Sequence, residues 1–484
     1  MFVQIHILQS MPPGNLNRDD TGQPKKCVFG GVTRGRISSQ CLKRNIRSSP
    51  QFREAFGGAL ADRTTYLPRL IADECRRDAT LAVPEDEIVA LMVAISKRFT
   101  SDKGADESAD TEQEADGAEP AHVNSKREVA VGQTGQLVFF QPPFVRSIAK
   151  LVASFRTDRP GAYRYFLTGK AVDESDDDKA KYKARKDALK KGKADLKKEE
   201  KVADTDEKKA VIAQRKAELL TEEKALKAEA ENKEDALKGE VGELVQRVAQ
   251  ASKELTVDIG LFGRMTTSDL VVNVEAACQV AHAIGTHETL IEGDYFTAMD
   301  EKKAQYASTQ TEKAGAAYLG SGENVTSFNS SVYYKYINVD LDALNRHLPT
   351  LNVSKAAEVA GVMVSAAALA NPTGKQNSFA AHGMPELILV EFSKFKRPLS
   401  YANAFLQPVE GRNLMAESAK AFAAYVDGMA AAYAPAGTER ILMAVANASG
   451  VTIKCAKQTA PSLDALVQSV VALAQGKPEG AATK

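Results

Sequence analysis

Between residues 171 and 245 more than half of the residues are charged, and the only aromatic is Tyr182. Such a segment cannot build a core of its own, because it has too little apolar surface to offset the entropy of ordering its chain. Leu189, Leu196, Val202, Val211, Leu219, Leu220, Leu226 and Leu237 recur too irregularly for a sustained heptad. Its Ala, Lys and Glu content favours helix. The expectation is long solvated helices, or a helical hairpin, forming a surface insertion tolerated by the fold. Acidic and basic residues nearly balance there, which makes it a poor groove for a polyanion. The folded core must come from the sequence on either side.

Those flanks carry ordinary core signals. Val3, Ile5 and Ile7 alternate within residues 2–8, which indicates a strand. Ile88, Leu91, Met92 and Ile95 fall at helical spacing within residues 86–98. From about residue 101 to 120 the chain turns acidic and loses large apolar residues, which indicates a disordered loop. Beyond the insertion, Asn273 can cap a helix running to His287, with Val274, Ala277, Ala281 and Ile284 on its buried side. Turn residues cluster near 313–324. Strands are expected over about 328–340, at Leu387–Val390 and at Ile441–Val445. Strands and helices at both ends of the chain imply an α+β core interrupted by a helical insert. A length of 484 residues allows two or three domains.

Lys+Arg and Asp+Glu each total 63, so no overall positive field marks a nucleic-acid partner, although a local basic surface is compatible with that balance. The five cysteines are scattered, odd in number and without a CxxC pair, which points to a reducing cytoplasm and away from disulfides or structural zinc. There is no basic leader with an apolar core, and no run of about 18 apolar residues, so a cytoplasmic protein without a membrane partner is expected. Catalytic constellations are equally lacking. Asp19 and Asp20 are adjacent and diverge in an extended loop. His282 and His287 are five apart rather than four, and Gly374-Lys375 lacks the rest of a phosphate-binding loop. No catalytic residue, metal site or cofactor is expected.

One segment does carry binding chemistry. It runs Asn17-Arg18-Asp19-Asp20, Phe29-Gly30-Gly31, then Arg34-Gly35-Arg36-Ile37-Ser38-Ser39-Gln40-Cys41-Leu42-Lys43-Arg44-Asn45-Ile46-Arg47. Ser38 or Ser39 can cap a following helix. The start of that helix, with free N–H groups and the positive end of its dipole, would attract anions. Gln40, Lys43 and Arg47 fall on one helical face, Leu42 and Ile46 on another. A capped helix leading into a basic stripe suits a nucleic-acid backbone.

The run from Asn17 to Arg47 resembles the opening of the CasC family, the guide-RNA-binding backbone subunits of the type I-E CRISPR Cascade complex, within the RAMP superfamily. Further blocks agree in order: Asp258-Ile259-Gly260-Leu261-Phe262-Gly263-Arg264-Met265, Asn273 to Ala277 running to His287, and Asp294 to Asp300. Gly315 to Gly320, Phe328-Asn329-Ser330 and Pro372 to Ala380 follow. The resemblance implies a modified RNA-recognition (ferredoxin-like) palm, helical fingers and a thumb hairpin. It places the palm at 1–58 and 327–484, with a palm helix at 266–287. The fingers would span 59–265, including the acidic loop 101–128 and the insertion 171–245, and the thumb 288–326.

The same resemblance implies a non-catalytic subunit that polymerises along guide RNA and presents it to a target DNA strand. Its partners would be further copies of itself and other Cascade subunits. Arg18, Lys25, Ser38, Gln40, Lys43 and Arg47 would hold the RNA backbone. Phe296, Thr297 and Met299 would form the thumb wedge that displaces a base, and Met265 would lie near the unstacked bases. Phe296 and Met299 read without the family would be core residues, and Met299 replaces a smaller aliphatic residue. The alternative is a metal-dependent RNA endonuclease like the backbone subunits of type III complexes, with Asp19 or Asp20 as its acid.

Overall fold

The computed structural model describes residues 1–57, 60–99, 132–171, 176–201, 205–294, 297–298, 302, 318–319, 326–349, 353–434 and 437–476. It combines helices with a mixed sheet, and the chain divides into two compact units.

The first unit comprises residues 1–60, 256–263 and 274–484. Ten described strands form its sheet. At the centre, β1 (Phe2–Gly14) pairs antiparallel with Thr326–Asp340 on one side and Pro385–Ser393 on the other. Glu439–Ala444 extends the sheet beyond Pro385–Ser393, and the short Gln458–Thr459 strand adds in parallel. Beyond Thr326–Asp340 come Ala283–Gly285, then the hairpin of β2 (Lys26–Phe29) and β3 (Val32–Ile37).

β1 is buried on both faces, as central strands are when helices cover a sheet. Leu8, Tyr334, Tyr336, Leu387 and Leu389 pack with Phe422 and Met415 of the Leu414–Tyr433 helix. Helix Val353–Leu369 packs on β1 and on Leu463–Ala474. Gln4 and His6, also on β1, are buried yet polar. His6 Nδ1 lies 2.8 Å from the Tyr334 hydroxyl, which also accepts the Tyr401 amide N–H, and His6 Nε2 lies 3.3 Å from Glu391. Glu391 also accepts from Tyr401 and Arg440, and its carboxyl titrates below the ordinary range because His6 and Arg440 outweigh the opposing effect of burial.

The strand expectations at 2–8, 328–340, 387–390 and 441–445 are met by β1, Thr326–Asp340, Pro385–Ser393 and Glu439–Ala444. The helix expected from Asn273 to His287 is not formed. Its place is taken by the strands Cys278–Val280 and Ala283–Gly285, both pairing with Thr326–Asp340. Inward residues alternate there with period two, and small alanines fit either pattern, so sheet pairing decides the outcome. A Cβ on Gly285 would lie 2.5 Å from Ser331 Oγ, and one on Gly35 2.7 Å from the Tyr333 hydroxyl, so this crossing requires both glycines. Asn273 caps nothing; its Oδ1 accepts the Thr266 amide N–H.

The second unit comprises residues 61–255 and 264–273. Helices Leu67–Arg77, Glu85–Lys97, Pro142–Asp158 and Pro160–Thr168 surround a core that includes Ile71, Leu91, Phe144 and Val152. The charged segment forms two helices, Asp176–Glu200 and Asp206–Ala251, cross-linked by Arg185 to Glu222 and Glu229, Arg215 to Glu199, and Lys216 to Glu200. Its outer part is a solvated hairpin, as expected. The expectation that the segment has too little apolar surface to contribute to a core fails at its C-terminal end. Leu237, Val241, Leu244, Val245 and Val248 share one helical face and belong to the core of this unit. The acidic loop 101–128 and the turn near 313–324 lie outside the described residues, apart from Tyr318–Leu319.

A candidate nucleic-acid interface

The site is built around helix α1 (Ser39–Ser48). Ser38 is the N-cap, its Oγ accepting the Cys41 amide N–H at 3.3 Å, and Leu42 and Ile46 are buried beneath. The other amides at this end are engaged as well. The Ser38 N–H goes to Asn17 Oδ1 at 2.8 Å and the Ser39 N–H to His282 Nδ1 at 3.1 Å. The anion site expected from free N–H groups is therefore largely closed by side chains of the protein itself. Cationic side chains around the helix, rather than its end, must supply any phosphate binding.

Those cations are brought together by the backbone. Asn17 accepts the Lys25 N–H through its carbonyl, and Lys25 accepts that of Arg36. Arg18 bridges to Pro24, and Asp19 Oδ1 accepts from the amides of Thr21 and Gln23 and from the Thr21 hydroxyl, closing the intervening turn. Arg18 and Gln40 are exposed, while Lys25 and Lys43 are half-buried. The Cys41 thiol is pushed up by burial, against the charges of Arg44 and Lys25, which places both cations at the first turn of α1. The Cys278 thiol is likewise pushed up by burial to about 12, opposed by Lys43.

Arg47 behaves differently. Its Nε donates to Asp258 Oδ2 at 2.7 Å, and that carboxylate is fully buried. The pair ties α1 to the short helix Val257–Phe262, so most of this charge is spent internally. Met265, in the second unit, is 80% exposed. Phe296 and Met299 lie outside the described residues. Thr297 lies in a two-residue strand, Thr297–Ala298, paired with Tyr318–Leu319.

Residues outside the expected set complete the site. Arg36 has a buried Nε without an acceptor among the described residues, and its place in the Arg34–Arg36 run was the signal for it. Asn17 and His282 position the cap. His282 has no local signal, since it reaches Ser39 from 243 residues away. His287 is structural: its Nδ1–H donates to the Glu288 carbonyl, its Nε2 accepts from Val332, and burial lowers its pKa toward this neutral form. Arg34 and Arg264 are also structural. Each is buried within its own unit and donates to three backbone carbonyls: Phe29, Gly285 and Phe405 for Arg34, and Val272, Phe139 and Ser252 for Arg264.

No curated protein matches this sequence. Among solved structures, a chain from a "CRISPR RNA-guided surveillance complex, pre-nicking" superposes with a TM-score of 0.61 at 22% identity, covering 98% of this chain and 100% of that one. A chain from another CRISPR RNA-guided surveillance complex gives 0.55 at 19% identity, with 98% and 100% covered. These likenesses are of fold. The sequence itself matches the CT1975-like family over residues 3–164 and 164–469, and the chain belongs to that CT1975-like protein family of Cas proteins.

Proposed function

We propose that this protein is the guide-RNA-binding backbone subunit of a type I-E Cascade surveillance complex in the cytoplasm. Family membership and a fold shared along nearly the whole chain with subunits of RNA-guided surveillance complexes support the reading. The observation that carries it is the group of Arg18, Lys25, Gln40 and Lys43 around α1, on a frame whose helix cap is closed by Asn17 and His282. Cations and amide donors of this kind grip phosphates without reading bases, which a subunit accepting any guide sequence requires.

In this reading the first unit supplies an RNA-recognition-like palm, the second the helical fingers, and residues 288–326 the thumb. Phe296, Thr297 and Met299 wedge between guide bases held by a neighbouring copy, and Met265 faces the bases left unstacked. An apolar wedge tolerates every base because each presents a π-face. Target DNA, further copies of this chain and other Cascade subunits are its partners. The subunit is non-catalytic. Asp19, one of the two acids a nuclease could use, already holds its own turn with one carboxylate oxygen.

The test is RNA affinity as a function of salt. Replacing Lys25 and Lys43 together with Ala removes two phosphate contacts, and the salt slope on single-stranded RNA should flatten by about 1.4. An unchanged slope in the folded variant contradicts the assignment.

A further inference from the structure

After the Pro385–Ser393 strand the chain turns through Lys394, Phe395, Lys396 and Arg397, all four exposed. Phe395 is 63% exposed although it is a large apolar ring, and its amide N–H is fixed by Ser393 Oγ at 3.1 Å. Tyr433, at the end of the Leu414–Tyr433 helix, is 55% exposed. Arg397, two residues after Phe395, reaches Tyr433: its guanidinium stands 6.0 Å from the Tyr433 ring centroid and donates to the Tyr433 carbonyl at 2.8 Å. Lys396 pairs with Asp340 at 3.2 Å. Lys394 and Arg397 make no ion pair among the described residues. The acids nearby are few. Asp340 is taken by Lys396, Asp342 by the N-terminal amine, and Glu439 stands opposite Phe392 in the ladder. In a chain of zero net charge this turn is a local positive field.

Two exposed rings beside cations are costly in water and match single-stranded nucleic acid, whose bases stack on aromatic faces while its phosphates seek Lys and Arg. The turn follows Pro385–Ser393, which pairs with β1 on one side, whereas His282, which accepts the Ser39 amide N–H, lies between Cys278–Val280 and Ala283–Gly285, the strands that pair with Thr326–Asp340 on the other side of β1. We propose that Lys394–Arg397 and Tyr433 form a second contact for single-stranded nucleic acid, separate from the surface around α1. Phe395 and Tyr433 stack its bases, and Lys394 and Arg397 hold its phosphates.

The experiment uses the full-length protein with whatever RNA it carries, and fluorescein-labelled oligodeoxythymidylate as the probe. Wild type should bind it, Phe395→Ala about tenfold more weakly, and Phe395→Tyr close to wild type, because a stacking face is kept. Lys394→Ala with Arg397→Ala should flatten the salt slope by about 1.4. Phe395→Ala should leave the amount of copurifying RNA unchanged, which separates this contact from the guide surface. Phe395→Ala within twofold of wild type, Phe395→Tyr as weak as Phe395→Ala, or loss of the copurifying RNA from Phe395→Ala would each overturn the proposal. So would equal affinity for duplex DNA. If Phe395→Ala lowers the melting temperature, the Phe395→Tyr comparison still decides.

Discussion

Arg47 Nε and Asp258 Oδ2 stand 2.7 Å apart, with the carboxylate fully buried and 28% of the arginine side chain exposed. Sequence spacing puts Arg47 on the same helical face as Gln40 and Lys43, but the pairing recruits its charge into the fold. Removing the arginine strands a buried anion. Arg47→Ala should therefore destabilise the first unit by roughly 2–3 kcal/mol, below the full cost of breaking a buried pair because part of the arginine meets solvent. Urea unfolding checks this. A loss of RNA affinity with unchanged stability would restore Arg47 to the binding surface.

The charged hairpin separates into a dispensable tip and an indispensable root. Ala171 and Lys233 line the same cavity between the two helices, so a short linker can join the chain across it. Replacing residues 175–231 with a flexible linker should leave the melting temperature nearly unchanged, since loop length costs little. Leu244→Ala, in the buried face of the second helix, should cost about 2–5 kcal/mol. A shortened protein that fails to fold would contradict this division.

Lys335 gives a pH dependence. It is 1% exposed on the Thr326–Asp340 strand, its Nζ has no hydrogen-bond partner among the described residues, and burial pushes its pKa down to about 8. Between about pH 8 and the ordinary lysine value the unfolded chain binds a proton that the folded chain does not, so stability rises with pH across that window. Below it the penalty is fully present, about 3 kcal/mol. Lys335→Met should stabilise the protein by about that amount at pH 7 and remove the rise. Denaturant unfolding at pH 7 and pH 9.5 measures both. A variant no more stable than wild type at pH 7 would show that the ammonium is solvated or paired.

The sequence made some of this plain and concealed the rest for identifiable reasons. β1 was legible because Val3, Ile5 and Ile7 alternate, yet its other face, with Gln4 and His6, gives no hint that Glu391 and Tyr334 receive them. Ser38 was legible as one of two possible caps, while Asn17 and His282, which close the helix end, act across the chain and leave no periodic trace. Residues 274–287 satisfy a helical count of apolar positions and still become strands, because the partner strand supplies backbone hydrogen bonds that composition does not record. The five buried positions from Leu237 to Val248 do have helical spacing, but they were submerged in the charged composition of the longer stretch.

The thumb reading rests on Phe296. If its ring wedges between guide bases, Phe296→Ala loses a contact worth about 1–3 kcal/mol per site. The isolated subunit should keep its melting temperature, and chemical probing of bound RNA should lose the regular pattern of distorted nucleotides. A lowered melting temperature with the pattern intact would make Phe296 a core residue.

The most direct test of the central claim is to purify the protein from cells that contain its complete CRISPR locus, then sequence and size whatever RNA accompanies it. The account predicts an RNA of discrete length carrying repeat-derived sequence, retained at moderate salt and depleted in the Lys25→Ala, Lys43→Ala double variant. Protein free of RNA, or bound to RNA of random length and sequence, would contradict it.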